Sequence, residues 1–200
     1  FAGVKEPVHL RIAMQKIQPR CQFSFGELVR LIDQSPLLFR YETGLLTTDE
    51  FFGEFRDAVD FRGSLEEFAM IFGDIFTPIE PMIELHAGLR ERGAPVFIFS
   101  NTNEMAVQHI RKRFPFFRDF DGHILSYEHR AMKPDPRLYE VVERFVGRRG
   151  SELLYIDDRP ENIATGMARG WQPILHETPE RTWAAVRKTG ILDGGSSPSR

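Results

Sequence analysis

Apolar and polar positions follow two different rhythms along this 200-residue chain. From about residue 10 to residue 77, apolar residues recur three and four positions apart, as in Phe51, Phe55 and Val59, or Phe68, Ile71 and Phe72. That spacing puts them on one face of a helix. Three pairs stand where such runs begin: Ser24 with Glu27, Thr47 with Glu50, and Ser64 with Glu67. In each, a hydroxyl can accept from the backbone N–H three residues on while the glutamate reaches back, which is a capping box. Residues 22–77 are therefore predicted to be entirely helical. Their many phenylalanines either give short helices enough apolar surface for a small bundle, or form an aromatic face that closes over a ligand.

From residue 81 the rhythm changes. Pro81 to Arg92 has a helical pattern stopped by Gly93, and Val96 to Phe99 is a short apolar run of strand formers. A helix over 104–113, a weaker strand at Ile124 and Leu125, and a helix over 136–146 follow. The last begins with Asp135 as cap and Pro136 in the first turn. Leu153 to Ile156 reads as a buried strand, 161–169 as a helix and Gln172 to Leu175 as a strand. Thr178 and Pro179 open a final helix to about Lys188. Helices alternating with short apolar strands imply an α/β fold, a three-layer Rossmann-like parallel sheet. Residues 191–200, ending Gly-Gly-Ser-Ser-Pro-Ser-Arg, read as a flexible tail with nothing to bury.

Composition narrows this further. Two hundred residues at 42% hydrophobic content suit one sizeable α/β domain, or one carrying a small insertion. Cys21 is the only cysteine, so no internal disulfide can form, and a reducing, cytoplasmic setting is expected. A net charge of −3 with both signs mixed argues against a nucleic-acid partner. No apolar run reaches membrane-spanning length, so a soluble monomer or homodimer without membrane association is expected. The six histidines show no metal-ligand spacing with Cys21 and are read as non-catalytic. Phe1 stands where an initiator methionine would, so the sequence is read as less than the complete gene product.

The chemistry concentrates after the strands. If the strands are parallel, their carboxyl ends share an edge, where ligands of open α/β sheets bind. Asp157 and Asp158 follow the run 153–156. Adjacent carboxylates repel unless something positive is bound, and Mg²⁺ suits them; otherwise one of them simply caps the next helix. Ser100-Asn101-Thr102-Asn103 follows the run 96–99. A hydroxyl and free N–H groups at a helix start make a phosphate cradle, or an ordinary cap. Lys133, stiffened by Pro134, either faces inward to neutralise phosphate or a nucleophilic carboxylate, or faces solvent.

Order and spacing together are more specific than any one part. Val-Phe-Ile-Phe-Ser-Asn-Thr-Asn at 96–103, Met-Lys-Pro-Asp-Pro-Arg-Leu-Tyr at 132–139 and Leu-Tyr-Ile-Asp-Asp-Arg-Pro-Glu-Asn-Ile at 154–163 resemble the haloacid dehalogenase superfamily. Tyr41-Glu42-Thr43-Gly44 with Thr48-Asp49-Glu50-Phe51-Phe52 is similar to the early helical cap of its sugar-phosphate phosphatase and haloacid dehalogenase branch. The resemblance implies a helical cap at 10–77 on a core at 78–190. By it, Ser100 binds a phosphoryl oxygen, Asn101 adds a neighbouring contact, and Lys133 stabilises nucleophile and transferring group. Asp158 binds Mg²⁺, Asp157 holds a metal-bound water or ligates at longer range, and Asn162 supports the loop.

The superfamily's nucleophile is an aspartate ending a first, central strand. No matching text lies in this sequence, and Pro7 to Gln15 already resembles the first cap helix, so strand and aspartate are expected upstream of Phe1. Arg130-Ala131 departs from relatives that often carry glycine before the lysine. The implied activity is Mg²⁺-dependent hydrolysis of a small phosphorylated metabolite through an aspartyl-phosphate. The alternatives are a metal-free haloacid dehalogenase and a non-catalytic binding or regulatory protein of this fold. Replacing Lys133 with alanine is expected to slow the chemistry while changing folding little.

Overall fold

A computed structural model describes residues 7–34 and 36–193. Its first part is all helix: α1 (Pro7–Ile17), α2 (Phe25–Gln34), α3 (Pro36–Glu42), α4 (Thr48–Val59) and α5 (Leu65–Gly73). All three capping boxes form. Thr47 N–H donates to Glu50 at 2.8 Å and Glu50 N–H to the Thr47 hydroxyl at 3.2 Å, and Ser64 with Glu67 repeats the exchange. Ser24 N–H donates to Glu27 at 2.9 Å, with a longer return bond of 3.4 Å. The helices bury Phe51, Phe55 and Phe68 completely. The Phe68 ring centroid lies 4.8–6.1 Å from those of Phe51, Phe52, Phe55, Phe61 and Phe72. Of the two uses open to these phenylalanines, the structure shows the bundle core.

The second part alternates α6 (Glu80–Glu91), β1 (Phe97–Ser100), α7 (Glu104–Arg113), β2 (Gly122–Leu125) and α8 (Ser126–His129). It continues through α9 (Pro136–Val146), β3 (Leu154–Asp157), α10 (Pro160–Ala168), β4 (Gln172–Leu175) and α11 (Pro179–Lys188). Strand side chains alternate between faces. Ile98 packs with Val107 of α7, and Leu154 and Ile156 with α6 and α11. Phe99 and Tyr155 point the other way, into a cluster with α9, α10 and Trp171. The strands thus lie between α6, α7 and α11 on one face and α9 and α10 on the other, the expected three layers.

The sheet itself is two parallel pairs, β1 with β2 and β3 with β4, rather than one continuous sheet. Among the described residues no strand pairs with the inner edges of β1 and β3. The gap is spanned on one face by the Phe99 and Tyr155 rings, 5.7 Å apart. Open edges inside a domain are unfavourable unless another extended segment pairs with them. The core strand expected upstream of Phe1 lies outside the described residues.

Two boundaries differ from the sequence reading. Both β1 and β3 run one residue further than their apolar runs, so Ser100 and Asp157 are the last ladder residues, opposite Leu125 and Leu175. Of the tail expected at 191–200, residues 191–193 are described. Leu192 is buried against α6 and α11, and its carbonyl accepts from Arg92 Nε at 2.5 Å. Residues 194–200 lie outside the described ones.

Candidate active site

The ladder ends fix where the polar residues stand. Ser100 and Asp157, each closing a strand, lie at the carboxyl edge on either side of the gap. Lys133 arrives from the loop between α8 and α9 and bridges them. Its Nζ donates to the Phe99 carbonyl at 2.9 Å and to Asp157 Oδ2 at 2.5 Å. The ammonium also lies 4.7 Å from the Phe99 ring centroid and 5.9 Å from that of Tyr155, within cation–π range. Lys133 is only 9% exposed. The solvent-facing alternative is therefore excluded, and a buried ion pair argues against the expectation that its loss would change folding little.

Asn101 explains how the lysine loop is held. Its Nδ2 donates to the Lys133 carbonyl at 2.9 Å and its Oδ1 accepts from Lys133 N–H at 2.7 Å. The Lys133–Pro134 peptide is cis. Asn101 therefore spends its amide on positioning Lys133 and keeps only backbone groups for a ligand. The departure from glycine before the lysine also resolves: Arg130 closes α8 in the left-handed region at φ 52°, a conformation glycine adopts without steric cost.

Asp157 is saturated. Besides Lys133, Oδ2 accepts from the Tyr155 hydroxyl at 2.8 Å, and Oδ1 accepts from Arg159 N–H and Asn162 Nδ2, both at 2.9 Å. Burial by itself would raise this carboxyl. The Lys133 charge and hydrogen bonds from Lys133, Arg159 and Asn162 outweigh it, holding Asp157 below the usual carboxylate range and ionised. Burial likewise pushes Lys133 down from the lysine range, opposed by Asp157 and then Asp158. Tyr155 is driven up, first by burial and then by the Asp157 charge, so it remains a hydroxyl donor. With four donors on its two oxygens, Asp157 is an anchor for the lysine.

Asp158 is the opposite case. It is exposed, and its carboxylate has no hydrogen-bond or ion-pair partner among the described residues. Four residues further along the chain, the Asn162 Oδ1 is buried and unpaired among the described residues, although its Nδ2 holds Asp157. A free carboxylate oxygen and a free amide oxygen are hard donors, the kind that Mg²⁺ or its waters take. They do not make a full site: among the described residues no three His, Cys, Asp or Glu side chains cluster closely enough to hold a metal. The residues present fit an ion that a ligand, water or further carboxylate helps to hold.

The phosphate cradle is narrower than the sequence suggests. Thr102 N–H is taken by the Ser126 hydroxyl at 2.9 Å, Met105 N–H by the Tyr41 hydroxyl at 3.1 Å, and Ala106 N–H by Asn103 Oδ1 at 3.0 Å. In the first turn of α7, the Met105 and Ala106 N–H groups are thus satisfied internally. Ser100 and Asn101, both half-buried, are the part of the loop that can turn to an anion, although here the Ser100 hydroxyl donates to the Asn101 carbonyl at 3.3 Å. A largely apolar cleft of about 50 Å³ begins at Ser100, Asn101 and Thr102 and follows α7 past Ile98, Val107 and Phe117. Lys133 and Asp157 lie toward the other face and do not line it.

Tyr155, Ser126 and Tyr41 were missed in the sequence. Only Tyr155 left a signal: two residues before Asp157 in a strand, it must share that residue's face.

Comparison with known proteins decides the family. The sequence profile of the haloacid dehalogenase-like hydrolases matches residues 14–169, well over half of the chain and spanning all three loops. The chain belongs to this hydrolase family. Among solved structures, a haloacid dehalogenase family enzyme of Bacteroides thetaiotaomicron in a magnesium complex is similar at TM-score 0.75 and 22% identity. The match covers 88% of this chain and 89% of that one. L-2-haloacid dehalogenase of Xanthobacter autotrophicus matches at TM-score 0.58 and 18% identity, over 94% of this chain and 79% of that one. These likenesses support the fold. A sesquiterpene phosphatase, astK, of Aspergillus oryzae is 25% identical over 152 residues, 74% of this chain and 76% of the relative. Among the described residues no helix of this hydrolase is long and apolar enough to cross a membrane.

Proposed function

We propose that this hydrolase is a Mg²⁺-dependent phosphomonoesterase that works through an aspartyl-phosphate. The carrying observation is the buried Lys133–Asp157 pair at the strand ends, with the unpartnered Asp158 beside it. Phosphoryl transfer concentrates negative charge on the transferring oxygens, and fixed positive charge with oriented donors offsets it. The Asp157 carboxylate opposes the burial that lowers the Lys133 pKa, and in this reading the ammonium serves both the nucleophile and the phosphoryl group. The Ser100 hydroxyl and the Asn101 backbone bind phosphoryl oxygens. The nucleophile is an aspartate carried on an extended segment lying between β1 and β3 in space; it forms a bond to phosphorus as the ester P–O bond breaks, the leaving oxygen takes a proton from solvent water, and a further water hydrolyses the aspartyl-phosphate to phosphate and free aspartate. Asp158 would hold Mg²⁺, Asn162 would support that loop, and Asp157 acts through Lys133. The ion, when bound, adds charge against the transferring group.

The substrate is a small phosphorylated metabolite. The sesquiterpene phosphatase among the relatives adds a prenyl monophosphate to hexose phosphates and nucleoside monophosphates as compounds to try. A second reading, haloacid dehalogenation, follows from the same fold and from the single unpartnered carboxylate, since that chemistry needs no metal. The deciding experiment uses the full-length protein. Phosphate release from this panel across a Mg²⁺ titration is measured beside halide release from 2-chloropropionate in EDTA. Mg²⁺-dependent phosphate release supports the proposal, metal-free halide release replaces it, and neither leaves a binding protein of this fold.

A further inference from the structure

We propose that Ser126 is a positioning residue that latches the phosphate loop to the helical unit, so that docking of the helices sets the geometry in which Ser100 and Asn101 meet phosphate. This rests on the phosphatase reading for its kinetic consequence, though not for the latch itself. Ser126 is fully buried, and its hydroxyl joins three segments. It accepts from Thr102 N–H at 2.9 Å, lies 3.0 Å from the Thr102 carbonyl, and donates to the Glu42 carbonyl at the end of α3 at 2.6 Å. Thr102 comes directly after the two residues that can turn to an anion.

Two further contacts tie the same helix end to the same loop. The Tyr41 hydroxyl accepts from Met105 N–H and shares a 2.8 Å hydrogen bond with Thr48, whose hydroxyl donates to Glu104 at 2.6 Å. Gly44, at φ +65°, lies so close to α8 that an added Cβ would stand 1.9 Å from the Tyr127 carbonyl oxygen. Packing agrees with the hydrogen bonds. Met105 belongs to the apolar core of the helical unit, and a Cβ at Gly73 of α5 would meet His109 of α7 at 2.8 Å. The helical unit is therefore fastened to the loop after β1 and to the helix that follows it. Buried hydroxyls in such a network fix one backbone geometry, because any other arrangement leaves a polar group without a partner.

Ser126→Ala and Tyr41→Phe in the full-length protein test the latch, with Thr43→Val as control. Thr43 is also buried at the end of α3, but among the described residues its hydroxyl bonds only to that helix, to the Phe39 and Arg40 carbonyls. Two readouts are taken: amide hydrogen exchange at 101–106, and KM, kcat and inhibition by inorganic phosphate. The latch predicts exchange at least tenfold faster at Thr102 in Ser126→Ala and at Met105 in Tyr41→Phe. It also predicts a KM and a phosphate inhibition constant raised several-fold while kcat changes less, with neither effect in Thr43→Val. Unchanged exchange at Thr102 in Ser126→Ala overturns the latch whether or not the protein hydrolyses phosphate. Faster exchange with unchanged KM and phosphate inhibition, in an active protein, overturns its role in positioning. An inactive parent protein counts against the phosphatase reading and leaves the exchange result to judge the latch.

Discussion

The helical and α/β parts of this hydrolase use burial in opposite ways. In α1 to α5 it is spent on aromatic rings packed against one another, with polar groups at helix starts and on the surface. In the α/β part the most constrained spot holds an ammonium, a carboxylate, a phenol and an amide, all buried or nearly so. The first arrangement stabilises without chemical consequence. The second costs desolvation, recovered only while every partner is in place. Stability and reactivity should therefore separate along this division, except where Ser126 and Tyr41 join the two parts.

The largest effect is expected at Lys133. Lys133→Ala leaves Asp157 buried without its counter-charge, which destabilises by about 3–5 kcal/mol. It should also slow the chemical step by roughly 10²-fold or more. Lys133→Met combined with Asp157→Asn should recover much of the stability and none of the rate, measured by urea unfolding beside single-turnover phosphate release. If the double change recovered both, Lys133 would be structural only.

Next in size is Phe68, whose ring touches five others. Phe68→Ala should cost about 3–5 kcal/mol, the usual range for a buried phenylalanine. Turnover per folded molecule, assayed well below the melting transition, should stay near that of the parent. A lost rate with retained stability would mean that the aromatic core reaches the site directly.

The smallest effect is acid sensitivity. His86 is buried, its ring stacks on Phe120 at 3.9 Å, and its Nε2 has no partner among the described residues. Burial, with the Arg90 charge added, lowers its pKa against the opposing pull of Asp119 and Asp121. An unfolded histidine takes up a proton near pH 6.5. Below that pH the unfolded chain binds more protons than the folded one, so stability is full above about pH 6.5 and falls as the pH drops. His86→Phe should keep the stack and lose less stability than the parent between pH 7.5 and 5.5, read from urea midpoints. An equal loss in both would move the acid sensitivity elsewhere.

The same division separates what was legible in the sequence from what was not. The capping boxes at Thr47 and Ser64 were readable because a box is a relation three residues long. The three-layer architecture was readable because helical and strand rhythms alternate. The ends of β1 and β3 were misjudged by one residue because Ser100 and Asp157 are polar, although the backbone ladder continues through them. Burial of Lys133 was only one of two readings open to its own residues, since its partner Asp157 comes from 24 residues away. The spending of the Thr102 and Met105 N–H groups left no trace, since their acceptors belong to Ser126 and to α3. What was hidden depends on contacts distant in sequence.

Asp158 offers the most direct test of the central claim, because it is the exposed, unpartnered member of a site whose other carboxylate is fully engaged. Asp158→Asn is made in the full-length protein, and aryl phosphate hydrolysis is followed across a Mg²⁺ titration together with the melting temperature. The account predicts phosphate release that depends on Mg²⁺ in the parent, a loss of at least tenfold with a right-shifted Mg²⁺ dependence in the variant, and a melting temperature almost unchanged. Equal activity and equal Mg²⁺ dependence in parent and variant would contradict it.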